Sequence, residues 1–313
     1  MKEKFLWIGI ILIIISGVAN YVYFETKQLS KPIFLDHYIK KPFNLHENQL
    51  TFFYLTNKQE PLQVSYVQID GAQFYPSTTG SGFMTLNQNP TYIPHEAEYS
   101  HYYLMRERIS FPAEILPEKV AGKEAWSFSE IEVGFTNGKQ ITADIGKVVL
   151  SAHEPERKVF DFRMTSSSSQ HINQAAMTAM EPVTINDIVI PFPEAGEHVS
   201  IKVDVEQERL KELGAVKNGG KIPEWLRGNK KWKDFDGKLL RNDTLPITLK
   251  KNEWMRLMTA VNHDSYFEFE MEIQGTDSTG SPFVQPVMIH DRPELTQEDV
   301  ERIIDRKAGD DDA

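Results

Sequence analysis

The densest concentration of groups able to bind a ligand lies in residues 217 to 241, KNGGKIPEWLRGNKKWKDFDGKLLR. Lys221, Arg227, Lys230, Lys231 and Lys233 crowd around Trp225 and Trp232, in a chain whose formal net charge is −11. Ammonium and guanidinium groups attract phosphate or carboxylate, while indole faces stack on sugars, bases or cations. The stretch therefore points to an anionic ligand, either a membrane surface or an envelope polymer. The plainer alternative is an insertion whose tryptophans pack on their own domain, because indole usually buries most of its surface.

A second cluster is HEAEYSH, residues 95 to 101. His95, Glu98 and His101 combine imidazole with carboxylate, the chemistry of a zinc site or of an acid–base pair. The spacing of the two histidines matches neither a helical nor a known zinc pattern, so a polar loop rim is the competing reading. KDFDGK (233–238) has two aspartates at calcium-loop spacing but lacks the further acidic ligands and the closing Glu. No nucleophile elbow, phosphate-binding glycine loop, dinucleotide fingerprint or His-Glu-x-x-His pattern is present. No cofactor is expected. The chain has no cysteine, which excludes disulfides, thiolate nucleophiles and Cys-based metal clusters. Its acidic balance repels phosphate backbones, so nucleic acid is not an expected partner.

The elements that must position these groups begin with FLWIGIILIIISGVANYVYF, Phe5 to Phe24. The stretch carries no charge, and as a helix it spans about 30 Å, the thickness of a bilayer core. Trp7 near one end and Tyr21 and Tyr23 near the other suit the interface. The reading is a transmembrane signal-anchor, with a cytoplasmic tail at 1–4 and the large remainder extracytoplasmic at a bacterial cell surface. Lys27, Lys31, Lys40 and Lys41 weigh against that orientation, while the short basic start before the apolar run favours it. The rival is a signal peptide cleaved after Gly17-Val18-Ala19, which would release a secreted protein.

Residues 25–44 read as a connector. Beyond them, runs of aromatic and β-branched residues read as strands at 50–56, 62–69 (with an expected bulge), 100–111, 159–164, 183–190, 198–205, 245–249, 254–261, 266–275 and 283–289. Alternation on both sides of Asn137-Gly138 predicts a hairpin over 129–150, closed by a tight turn with positive φ at both residues. A similar pattern over 265–289 suggests a duplicated plan. The fold expected is mainly β: the N-terminal transmembrane helix, then two antiparallel β-sandwich (Ig-like) domains at 45–152 and 153–293, with short helical additions. Asp204 is placed to cap a helix over 205–213. Residues 294–313 read as a C-terminal helix and acidic tail, capped at Thr296, stapled by Leu295 and Val300, and docked on the second domain or a partner. The function these features imply is a membrane-anchored binding or assembly module without enzymatic activity. Its expected partners are the bilayer and either a membrane protein or an anionic envelope polymer. An enzyme acting on such a polymer and a structural subunit of a membrane complex are the alternatives.

Overall fold

The structure is a computed structural model that describes residues 2–42, 48–77, 94–112, 125–151, 158–216, 221, 223–226 and 230–309. The N-terminal run forms one continuous helix, α1 (Lys2–Thr26). Its span Trp7–Thr26 has a mean hydropathy of 2.0, and none of its most apolar window is buried against the rest of the molecule.

The remainder is mainly β, with strand making up 51% of the described residues. The first half supplies β1 (Ile33–Phe34), β2 (Asp36–Pro42), β3 (Asn48–Asn57), β4 (Val64–Ile69), β5 (Ala72–Pro76), β6 (Ala97–Glu98), β7 (Tyr102–Phe111), β8 (Ala125–Phe135) and β9 (Gln140–Ser151). The second half supplies β10 (Phe160–Ser167), β11 (Ile172–Ala179), β12 (Val183–Val189), β13 (Val199–Asp204), β14 (Lys238–Leu239), β15 (Ile247–Leu249), β16 (Trp254–Val261), β17 (Ser265–Asp277) and β18 (Pro282–Asp291). Two single-turn helices, α2 (Gln207–Leu210) and α3 (Leu213–Val216), stand where one helix was expected, and α4 (Gln297–Gly309) follows β18.

Thirteen strands form one sheet in the order β1-β3-β7-β5-β4-β8-β9-β2-β17-β12-β15, with β6 added on β7 and β18 on β17. The other five form a second sheet, β10-β11-β16-β13-β14. The joint between the halves is β2, in the segment expected to be a connector. It runs parallel to β9 along His37–Pro42 and parallel to β17 along Asp36–Ile39. The expectation of purely antiparallel pairing is corrected accordingly, since β2 is parallel to both its neighbours. The strand is masked in the sequence by its lysines, whose charges are met inside the sheet: Lys40 pairs with Glu272 at 2.8 Å and Lys41 with Glu268 at 2.7 Å. The two hairpins read as similar in sequence, β8–β9 and β17–β18, both flank β2 but offer it non-equivalent strands, the second strand of one and the first of the other.

Two hydrophobic cores result. Ile39 points into the first, with β3–β5 and β7–β9, and its neighbour Tyr38 into the second. In the second core β12, β17 and β18 of the large sheet face β10, β11, β13 and β16 of the small one. The expected boundary at 152–153 falls within 152–157, outside the described residues. Between β3 and β9 the fully buried His37 of β2 acts as a strap. Phe53 N–H donates to its Nε2 (2.8 Å), which leaves Nδ1–H to donate to the Ile145 carbonyl (3.2 Å).

Local details follow the chemistry, with corrections. The β8–β9 turn has three residues: Phe135 N–H bonds Lys139 O, and only Gly138 takes positive φ (83°). Asn137 instead accepts from Lys139 N–H at 3.0 Å, so this is the longer hairpin loop with a glycine bulge. The expected bulge in β4 appears as a register shift between Val64 and Tyr66. Thr296 caps α4: its hydroxyl accepts from Asp299 N–H (3.2 Å), and Asp299 accepts in return from Thr296 N–H (2.8 Å). That helix docks on the first core, not the second, burying Leu295, Val300 and Ile303 there. Arg306 and Lys307 fasten it by reaching Asp36 at 2.8 and 2.6 Å.

Candidate functional site

The described residues of the basic–aromatic stretch, 221, 223–226 and 230–241, follow β13 in the chain and include β14, and Trp225 packs on the face of the five-stranded sheet turned away from the second core. Its two tryptophans are half-buried and pinned by cations of their own domain. The Trp225 ring covers the Arg256 guanidinium at 4.8 Å, and its N–H donates to Glu212 at 2.9 Å. Arg256 is 1% exposed and shares the carboxylate of Asp204, 3% exposed, with Arg209. Lys202 Nζ lies 4.8 Å from the Trp232 ring and donates to the carbonyls of Trp232 (2.8 Å) and Phe235 (2.9 Å). Lys221, Lys231 and Lys233 are exposed and Lys230 is half-exposed, while Arg227 lies outside the described residues.

Of the candidate trio the structure brings His95 and Glu98 together, His95 Nε2 lying 4.0 Å from the Glu98 carboxylate, while His101 turns to α1. The His95 ring stacks on Tyr103 at 4.3 Å, Glu98 pairs with Lys58, and His101 meets the rings of Tyr23 and Phe24 at 6.2 and 6.1 Å. Among the described residues, no group of three His, Asp or Glu side chains is arranged to hold a metal ion.

Two features escaped the sequence reading. One is a pair of His–carboxylate contacts where the halves meet. His171 Nδ1 lies 2.5 Å from Asp291, and His263 Nε2 lies 2.9 Å from Asp299, with the two imidazoles 5.9 Å apart. The hydrogen bond to Asp291 raises the His171 pKa. Burial alone would raise the Asp299 carboxyl, but the hydroxyl and N–H of Thr296, together with Arg302, hold it at about 2. Both carboxylates have structural duties, Asp299 as part of the α4 cap and Asp291 as the end of β18.

The other is a cleft of about 580 Å³ where β18, the edge of the large sheet, opens against β10, β11 and β16. Thr165, Ser166, Asn173, Gln174, Thr259 and Gln285 line it with hydroxyls and amides, and Phe162, Leu257, Val287 and Met288 line it with apolar surface. Its ionisable side chains among the described residues are Glu270 and His290, with no described lysine or arginine in the lining. The carbonyl oxygen of the Gln174 side chain is buried and meets no hydrogen-bond donor among the described residues. Such a lining suits uncharged groups that donate hydrogen bonds and carry an apolar face; it does not suit anions. Pro286, in the middle of β18, was the available signal: a proline inside a strand marks an edge, because it cannot donate to a ladder. No protein-family model matches this chain, and a search of curated proteins finds none similar to it.

Proposed function

We propose that this chain is a membrane-anchored, extracytoplasmic binding or assembly module without enzymatic activity. Its β halves act as two Ig-like sandwich units held at the bilayer by α1. The observation that carries this reading is the apolar helix that stands clear of an otherwise well-packed β body except at its last turn. A helix of that length and hydropathy satisfies all its backbone groups internally and finds in lipid the surroundings its side chains lack in the fold. Tethering raises the local concentration of the body for any neighbour in the same membrane. The cleft beside β18 supports a ligand-binding role, and the exposed lysines at 221, 231 and 233 with the half-exposed Lys230 support a contact with an anionic surface.

The test is fractionation of the full chain. It should resist alkaline carbonate extraction from membranes, while a protein lacking residues 5–24 should be recovered in the soluble fraction. Protease added outside intact cells with a permeable outer barrier should digest the body. A soluble mature form beginning near Asn20 would overturn the anchor, and full protection from protease would reverse the orientation. Replacing Lys230, Lys231 and Lys233 with Glu should lower retention on anionic liposomes at low salt. Unchanged retention removes those residues from the binding surface.

A further inference from the structure

We infer that the β body stands directly on the bilayer surface, with the edge formed by the β3–β4 connection and the β6–β7 turn against the lipid headgroups. This rests on the proposal that α1 crosses the membrane. The stem between helix and body has almost no length. Lys27 N–H still bonds Phe24 O (3.0 Å) and Gln28 N–H bonds Glu25 O (3.1 Å), so the helical turn runs to the last residue before the body.

The body then grips the chain at once. Tyr102 donates its hydroxyl to the Lys27 carbonyl at 2.5 Å. Leu29 and Asn57 exchange two hydrogen bonds of 2.9 Å, N–H to Oδ1 and Nδ2 to carbonyl. Only Lys27 and Gln28 separate the end of α1 from that clamp, and two residues reach at most about 7 Å even when extended. Phe24 closes the uncharged run, and the His101 ring already touches it. His101 therefore sits at the level of Tyr23, with the half-exposed rings of Tyr99 and Tyr103 close by in sequence, where amphipathic rings favour the membrane–water interface. Charges of both signs surround them, Lys27 and Lys58 beside Glu25 and Glu98, so zwitterionic lipid is a sufficient partner.

The absence of cysteine makes the test direct, since each engineered thiol carries one fluorophore. Three variants of the full chain are labelled: Ile14→Cys in α1, Ser100→Cys in the β6–β7 turn, and Ser278→Cys in the β17–β18 turn. The last lies at the far end of a 13-residue strand, about 40 Å along the sheet. Each is reconstituted in phosphatidylcholine vesicles bearing a nitroxide on either the acyl chain or the headgroup. The expected result is acyl-chain quenching at position 14, headgroup quenching at position 100, and fluorescence at position 278 equal to that in nitroxide-free vesicles. A Gly-Ser linker inserted after Gln28 should abolish quenching at position 100 and leave position 14 quenched. Quenching at 14 without quenching at 100 overturns this inference alone, as does quenching at 100 that survives the linker. Loss of quenching at 14 overturns the anchor itself.

Discussion

Acidification should remove the stability that His37 contributes as a neutral strap. Burial pushes its pKa from 6.5 down to about 4, and Lys307 nearby acts in the same direction, against the hydrogen bond to Ile145 and the charge of Asp36. Protonation would also set an N–H against the Phe53 N–H that Nε2 now accepts. The unfolded chain has no such constraint and takes up a proton at an ordinary imidazole pKa. Because the folded value is depressed, the contribution is fully present above about pH 6.5 and is lost as the pH falls towards 4. At about 1.4 kcal/mol per pKa unit, the interval corresponds to roughly 3 kcal/mol. The assay is urea unfolding of the full chain in detergent between pH 7.5 and 4, for the natural protein and for His37→Phe. The variant should be less stable at neutral pH, since it strands Phe53 N–H and Ile145 C=O, and its stability should fall less steeply with acid. His171 works with the opposite sign: its pKa is raised, so its contribution is present at low pH and is lost as the pH rises. Comparing the two proteins at each pH cancels it. Identical acid slopes for the natural protein and His37→Phe would refute the reasoning.

Three further outcomes are expected. Asp204→Asn removes the charge shared by the buried Arg256 and by Arg209, and should cost about 3–5 kcal/mol in urea unfolding. Ile303→Ala should cost about 2–5 kcal/mol. It should also lower hydrogen-exchange protection in α4 and the first core while sparing the second, because Ile303 is buried in the first. Gly146→Ala forces a side chain onto a residue with φ of 84° and sets its Cβ 2.7 Å from the His37 carbonyl oxygen. The left-handed conformation alone costs about 1–2 kcal/mol, so a thermal midpoint equal to that of the natural protein would contradict the described contact between β9 and β2.

What the sequence disclosed was whatever a local pattern encodes. The uncharged run from Phe5, the alternation of β8, β9, β17 and β18, and the cap at Thr296 each announce themselves within a few residues. What it hid depends on partners far along the chain. The strand β2 reads as a basic connector because the glutamates that neutralise Lys40 and Lys41 lie more than two hundred residues away. The strand β11, INQAAMTA, shows no alternation because both its faces are covered. Ala175, Met177 and Ala179 turn to the second core, and Ala176 to a small cluster with Leu210, Leu213 and Trp254. The grip of α4 on the first core was illegible for the same reason: its apolar face says only that it must bury something. The cleft beside β18 exists only once β10, β11, β16 and β18 have met, and Pro286 was its single local trace.

The position of β2 has a consequence for how the chain can be built or cut. This strand leaves a ribosome early, yet its two neighbours, β9 and β17, arrive roughly a hundred and more than two hundred residues later. The large sheet therefore cannot be completed one half at a time, and its closure belongs to the slow, non-local class of folding events. A fragment beginning at Val159 would keep β17 but leave the side that β2 occupies along Ser265–Glu268 bare, an open template for other chains. The same fragment would carry α4 without the core that receives it.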